Sequence, residues 1–332
     1  MTKLTSAHQS VSRLSVAPMM DWTDRHCRYF HRLLTRRGLL YTEMVTTGAL
    51  IYGDQARHLD FNQEEHPVAL QLGGSEPADL AKAARLGEQW GYDEINLNCG
   101  CPSERVQRGA FGACLMAEPK LVAEGVKAML DAVSVPVTVK HRIGIDRIES
   151  YEFVRDFVGT VASVGCRTFI VHARNAWLNG ISPKENRLLP PLKPDWVLQL
   201  KKDFPALFFV LNGGITSMPE IRLHLQQNDG VMVGREAYHN PWILSQWDEA
   251  LGDKPLGLTH NKVEAQMVDY MEKQAKSGVP WFAISRHMLG LRHGQTGARK
   301  WRQVWSDHKL KHLPVRDVAT LAGEALAQSS HR

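Results

Sequence analysis

Apolar positions in this chain follow two patterns. Some form short unbroken or alternating runs, and others recur every three or four residues, the two periods that separate a strand from an amphipathic helix. The first kind predicts strands at residues 14–21, 39–45, 68–74, 94–103, 135–140, 168–172, 207–214 and 230–235. The first run stops at Pro18 and the third at the pair Gly73-Gly74, residues that cannot extend or that weaken a ladder. The second kind predicts helices at 25–37, 76–90, 119–133, 151–164 and 196–202. Glu76-Pro77 opens the clearest of them, because proline is tolerated in a first helical turn. Short apolar strands alternating with helices over about 240 residues predict an α/β fold, a (β/α)8 TIM barrel whose strands are buried on both faces. An open doubly wound sheet is the competing arrangement, but no Gly-x-Gly-x-x-Gly joins an early strand to a helix.

After Pro241 the strand pattern ends. Val263, Met267, Tyr270 and Met271, then the stretch from Leu313 to Leu326, carry helical spacing. We therefore expect a barrel over 1–247 and a smaller all-helical C-terminal domain over 258–332, joined by a segment containing Gly and Pro.

Composition narrows the picture further. The apolar content suits a globular protein, and no run approaches the ~20 apolar residues that span a bilayer. The polar first thirteen residues lack the apolar core of a secretory signal, so a cytoplasmic protein is expected. Five cysteines in 332 residues fit reduced thiols rather than a disulfide framework, and none has the spacing of a zinc site. No metal is expected. The net charge of +5 matters for its distribution. Arg286, Arg292, Arg299, Lys300, Arg302, Lys309, Lys311 and Arg316 face one acid in that interval, Asp307, and Trp281, Trp301 and Trp305 lie among or beside them. Cations interleaved with aromatics suit a polyanion whose bases stack, which makes nucleic acid the first partner to consider; a solvated helix face over core tryptophans gives the same pattern.

In a barrel all eight carboxyl ends open on one face, so polar residues there converge although distant in sequence. The predicted strand ends carry Met19 and Met20, Gln71, Cys101, Lys140, His172, Asn212 with Gly213 and Gly214, and Gly234 with Arg235. A lone cysteine is often a small buried hydrophobe. Cys101, however, stands between Gly100 and Pro102 at a strand-to-loop corner, where α/β enzymes place their chemistry. Glycines and Arg235 after the last two strands predict a phosphate-bearing cofactor, held by backbone amides and a bidentate cation. Gln71 and Lys140 then fall where a flat heteroaromatic ring would lie, the lysine facing an electron-rich edge.

The motifs Ala17-Pro-Met-Met-Asp21, Gln71-Leu-Gly-Gly74, Asn96-Leu-Asn-Cys-Gly-Cys-Pro-Ser103, Val139-Lys-His-Arg-Ile-Gly144, Val171-His-Ala-Arg174, Leu211-Asn-Gly-Gly-Ile215 and Val233-Gly-Arg235 resemble those of the tRNA-dihydrouridine synthases. They run in order from Ala17 to Arg235, and the helical tail is similar too, so the resemblance covers nearly the whole chain. Arg105-Val-Gln, Phe111-Gly-Ala-Cys-Leu-Met116 and Arg299-Lys-Trp-Arg302 resemble the A-type branch, which acts on D-loop uridines 20 and 20a in tRNA numbering. Cys99 departs from the pattern, since an aliphatic residue is more usual there; it is expected to bring a second thiol near the site. The resemblance implies FMN bound by Pro18, Met19, Met20, Gln71, Lys140, His172, Asn212, Gly213, Gly214, Gly234 and Arg235, with NADPH as reductant. It also implies hydride transfer to uracil C6 and proton donation to C5 by Cys101, as the thiol, from the opposite face. Asn98 is expected to read the uracil edge. Arg105, Lys184, Arg187, Arg299, Lys300, Arg302 and Gln303 are expected to hold the RNA. No obligate protein partner is evident, and a monomer is the default.

Three other readings fit parts of the pattern. A flavin barrel acting on a free pyrimidine, like dihydroorotate dehydrogenases, accounts for the strand ends but leaves the basic tail idle. A Schiff-base aldolase would use Lys140. A tRNA-binding protein without activity would use only the tail.

Overall fold

The computed structural model describes residues 13–103 and 109–330. Eight parallel strands close into a barrel in sequence order: β1 Leu14–Val16, β2 Leu39–Thr46, β3 Val68–Gly73, β4 Glu94–Cys99, β5 Val137–His141, β6 Thr168–His172, β7 Phe208–Asn212 and β8 Gly230–Val233. β1 pairs with both β2 and β8, which completes the ring. Each expected strand is present. The helices Pro77–Trp90, Pro119–Ala132, Tyr151–Ser163 and Pro194–Asp203 are where the periodicity predicted them, and Met218–Gln227 adds one that was not predicted. Thr47–Tyr52 and Gln55–Leu59, between β2 and β3, were also not predicted, being too short to establish a helical period.

Strand alternation assigns the two faces. Leu70, Leu72, Ile95, Leu97, Val139, Phe169, Val171, Phe209 and Leu211 occupy one face and are all buried. The helix Pro77–Trp90 can lie close to β3 and β4 because position 87 is glycine; a Cβ there would come 2.6 Å from Ile95 Cδ1 and 2.7 Å from Leu70 Cδ2. The alternate residues Ala17, Leu39, Tyr41, Ala69, Ile170, Val210 and Met232 pack into one cluster filling the barrel interior. Polar residues also point inward and are buried, above all Glu94, Asn96 and Asn98 of β4. Their burial is offset by hydrogen bonds: Tyr41 O–H and Thr138 O–H both donate to Glu94 Oε1, at 2.5 and 2.6 Å.

The chain forms two compact units, and they do not divide where the sequence suggested. One comprises the chain up to Thr23 with Gly38–Gly234; the other comprises Asp24–Arg37 with Arg235–Arg332. The division falls at Gly234/Arg235 rather than at 247–258, and the helix Arg25–Leu34, which reads in sequence as the first barrel helix, belongs to the second unit. There Tyr29 stacks on Tyr270 with ring centroids 3.8 Å apart, and buried Asp248 accepts from Thr35 Oγ1 and the backbone N–H groups of Arg36 and Arg37.

The second unit also settles the role of the tail tryptophans. Trp301 and Trp305 are buried and both donate through Nε1 to Glu264 Oε1, at 2.7 and 3.0 Å. Arg292 is buried against the same carboxylate, 2.7 Å from Oε2, with its guanidinium over the Trp301 ring. These rings form the core of the unit and are not a platform for bases. Arg286 and Arg316 are engaged by Asp24 and by Asp269 with Glu272. No helix among the described residues is long and apolar enough to cross a membrane.

The Tyr41→Phe substitution removes one of the two hydroxyl donors to a buried carboxylate while conserving shape. It should destabilise the protein by about 1–3 kcal/mol. Urea unfolding should show a lower midpoint with an unchanged slope.

Candidate active site

The carboxyl end of β4 sets the geometry. Asn98 lies at its penultimate position, and its Oδ1 accepts the backbone N–H groups of Gly100 and Cys101, each at 3.0 Å. This side-chain turn bends the chain out of the strand as soon as Cys99 has paired with His141. Cys101 therefore sits two residues past the strand end, half-buried, with Sγ 3.5 Å from Ser103 Oγ. Its carbonyl accepts from Ala113 N at 2.9 Å, which fastens the far side of the loop. Cys99 behaves differently from expectation. It alternates with Asn98, so it faces away from the barrel interior and is fully buried, with burial first and Cys114 and Cys166 next raising the pKa of its thiol. It contributes no second thiol to the mouth.

β5 contributes Lys140 inward and His141 outward, and Arg142 follows directly after its end. Lys140 Nζ donates to Asn212 Oδ1 at 3.1 Å, and Asn212 Nδ2 donates to Met232 O, so β5, β7 and β8 are tied together at the mouth. Burial, with Arg142 and Arg187 nearby, brings the Lys140 pKa down to about 7, although negative charge on Cys101 would oppose the shift. His172 ends β6, and desolvation followed by the cations Arg142, Lys140, Arg174 and Arg187 holds it well below its ordinary pKa. At neutral pH it is a neutral imidazole in a basic mouth. His141, packed near Phe157 and Phe169 on the outer face, is also lowered by burial, to about 4.

Arg142 carries no cofactor- or RNA-binding assignment from sequence, though it lies in the motif Val139-Lys-His-Arg-Ile-Gly144 beside Lys140. It is 3% exposed and donates from Nε to Gly100 O at 3.2 Å, and from Nη1 to Asn175 O and Asn186 O at 3.1 and 3.0 Å. It thereby joins the cysteine loop to the loop after β6, which carries Lys184 and Arg187. The signal was present in the spacing Lys140-x-Arg142, which places a second cation just past the first.

The glycines after β7 let the side chains of His172 and Leu192 lie close against the backbone, a Cβ on Gly214 coming 2.4 Å from Leu192 Cδ1. Gly213 and Gly214 have φ of 117° and 73°, conformations that side chains rarely adopt, and a Cβ on Gly213 would come 2.7 Å from the His172 ring. At Gly234 a Cβ would meet only Ala17 Cβ, 3.9 Å away, so the backbone there is open. With Lys140 and the neutral His172 in the same mouth, that open backbone suits a planar cofactor carrying phosphate.

Gln71 and Asn98 are placed together but deeply. Gln71 is 1% exposed, donates to Asn96 Oδ1 at 2.8 Å and accepts from Asn98 Nδ2 at 2.9 Å. Pro18 and Met19 follow β1 half-buried, Met19 N being held by Thr23 Oγ1, while Met20 is 53% exposed. Lys184 and Arg187 are exposed on the β6 loop. Arg299, Lys300, Arg302 and Gln303 are all exposed on one helix, Ala298–Trp305, whose Trp301 and Trp305 point inward. Arg235 opens the short helix Arg235–His239 in the second unit. Arg105 lies outside the described residues. Among the described residues no cluster of His, Cys, Asp or Glu could hold a metal ion.

The sequence model of the family described as Dihydrouridine synthase (Dus) matches residues 15–327. The chain is 58% identical over 313 residues to the tRNA-dihydrouridine(20/20a) synthase of Escherichia coli (strain K12), covering 94% of this chain and 90% of that one. It is 55% identical over 329 residues to the Yersinia pestis protein of the same name, covering 98% and 94%. The Pseudomonas putida protein so named is 57% identical over 307 residues, covering 92% and 91%.

A lysine with a pKa near 7 in the folded chain and an ordinary ammonium value when unfolded binds fewer protons folded than unfolded between those values, so its folding penalty falls as pH rises. The stability difference between Lys140→Met and the parent protein, both free of cofactor, should therefore shrink progressively above pH 7. Urea unfolding from pH 6 to 10 measures it.

Proposed function

The chain belongs to the dihydrouridine synthase family, and from that premise we propose that it reduces uridine to 5,6-dihydrouridine in the D-loop of tRNA, at positions 20 and 20a, using FMN and NADPH. The observation that carries this reading is the half-buried Cys101 on a turn held by Asn98, at the strand ends that also carry Lys140, His172 and the open backbone of Gly234. When bound, the flavin supplies a hydride for uracil C6. The residues of this chain do the rest. Cys101 donates a proton to C5, and a thiol suits that task because it approaches a ring face and keeps its proton until charge develops. Lys140, with a pKa of about 7 and so only partly protonated at neutral pH without ligand, becomes more fully charged beside an electron-rich ring edge, so its field is strongest where negative charge accumulates. Gly213, Gly214, Gly234 and Arg235 hold the cofactor phosphate, and Pro18, Met19 and Met20 border the ring. Gln71 and Asn212 support Asn98 and Lys140 from below through the hydrogen bonds described above.

The RNA must surrender a stacked base to this mouth, and cations must hold its backbone meanwhile. We assign that holding to Lys184 and Arg187 on the β6 loop, to Arg105, and to Arg299, Lys300, Arg302 and Gln303. The exposure of the last four on one helical face, with the tryptophans turned inward, favours phosphate contact over base stacking.

Incubation of unmodified tRNA with the protein, FMN and NADPH should add two hydrogens at D-loop uridines 20 and 20a, mapped by mass spectrometry. Cys101→Ala should lower the rate by 10²-fold or more, as loss of a positioned proton donor does, with flavin retained. Dihydro product from free uridine or orotate, with none in tRNA, would instead support the free-pyrimidine reading. Arg299→Glu should weaken tRNA binding and reduce the slope of log K against log salt by about 1 or more, leaving the flavin spectrum unchanged. An unaltered salt slope would remove Arg299 from the interface.

A further inference from the structure

An unbroken hydrogen-bond chain runs through the barrel interior from the buried carboxylate of Glu94 to the loop of Cys101, and its direction is fixed at both ends. Glu94 Oε1 accepts from Thr138 O–H at 2.6 Å. That hydroxyl has one hydrogen, now spent, so toward Asn96 it accepts from Nδ2 at 2.8 Å. Asn96 consequently turns Oδ1 to Gln71 and receives its Nε2 at 2.8 Å. Gln71 is left with Oε1 for Asn98 Nδ2, at 2.9 Å. Asn98 then has Oδ1 for the backbone N–H groups of Gly100 and Cys101. A backbone N–H only donates and a carboxylate oxygen only accepts, so the two ends demand the same orientation of every amide between them.

We infer that Glu94 and Thr138, which lie beneath the mouth, are positioning residues: they orient the Asn96, Gln71 and Asn98 amides in series and thereby hold Cys101 in place. Reversal of any amide would present an NH2 group to a neighbouring donor. At Asn98 it would abolish the turn that carries Cys101 out of β4. Tyr41 donates to the same Glu94 oxygen and also reaches Thr138, so it braces the start of the chain. Neither Glu94 nor Thr138 belongs to the residues assigned above to substrate, cofactor or proton transfer. The inference rests on the proposed role of Cys101 as proton donor, and its test therefore includes a measurement independent of turnover.

Thr138→Val conserves volume and deletes the hydroxyl, whereas Thr138→Ser keeps the hydroxyl and deletes the methyl. Glu94→Gln replaces the acceptor-only carboxylate with an amide that no longer dictates one orientation, because its NH2 group can also face Thr138. With flavin-loaded protein, Thr138→Val and Glu94→Gln should lower kcat on tRNA by about 10- to 100-fold, the scale of a small misplacement of a reacting group, with KM for tRNA and flavin content near the parent values. Thr138→Ser should retain kcat. In parallel, peptide mapping after brief iodoacetamide treatment should show Cys101 alkylated about fivefold faster in Thr138→Val and Glu94→Gln than in the parent, because the turn that restrains it is released. A packing role for position 138 would give the opposite ranking, with serine impaired and valine normal, and would overturn the inference. Parent-like kcat and alkylation in both Thr138→Val and Glu94→Gln would also overturn it. Should Glu94→Gln fail to fold, the valine and serine pair at 138 decides alone. If the parent makes no dihydrouridine but the alkylation rates change as expected, the positioning stands and the proposed reaction falls.

Discussion

Polar groups inside a closed barrel have no access to water, and each must find a partner in the few ångströms the ring allows. In this protein β4 brings three such groups inward, and the register of its neighbours supplies what they need. Gln71 lies beside Asn96, Asn96 beside Thr138, and Asn98 beside Lys140. The hydrogen bonds that satisfy the interior are also those that shape the mouth, because the last acceptor, Asn98 Oδ1, is spent on the backbone that turns Cys101 out of the strand. Core stability and site geometry thus depend on one connected set of bonds.

Above that chain the problem becomes one of charge. Lys140, Arg142, Arg174 and Arg187 all act on His172, and burial amplifies their mutual repulsion. The protein relieves it in two ways. His172 stays neutral and Lys140 shifts to about 7, while Arg142 is lowered to about 9 yet remains charged at neutral pH, its field absorbed by three carbonyl oxygens. A mouth poised in this way gains from an anionic ligand that a fully compensated one would not, which suits a cofactor phosphate, an electron-rich ring and a nucleic acid backbone together.

The eight strands were legible in sequence because parallel barrel strands are buried on both faces and so read as compact apolar runs. Cys101, Lys140, His172, Asn212 and the glycines were legible because they stand at the ends of those runs. Glu94 and Thr138 carry no signal of their own in sequence, although their alternation with Ile95 and Val139 marks the inward face, and Asn96 and Arg142 stand in the family motifs with no site role assigned to them. Their significance is relational: a buried Thr is unremarkable until the groups on either side of it are known. Cys99 shows the same limit from the other side, since adjacency in sequence to the site means, for a strand, the opposite face.

The tail was ambiguous for a related reason. Tryptophans among arginines describe both a stacking surface and a helix with a wet face and a dry one, and composition does not say which way a ring points. Sequence by itself determined the number and order of strands and the family resemblance, because these follow from local periodicity and from residues adjacent along the chain. Tertiary structure decided which helix joins which unit, that Glu264 and Arg292 bury the tail tryptophans, and that the Lys140 ammonium is desolvated to near neutrality. Those outcomes depend on groups distant in sequence competing for the same buried space and the same hydrogen bonds, and only the folded chain brings them together.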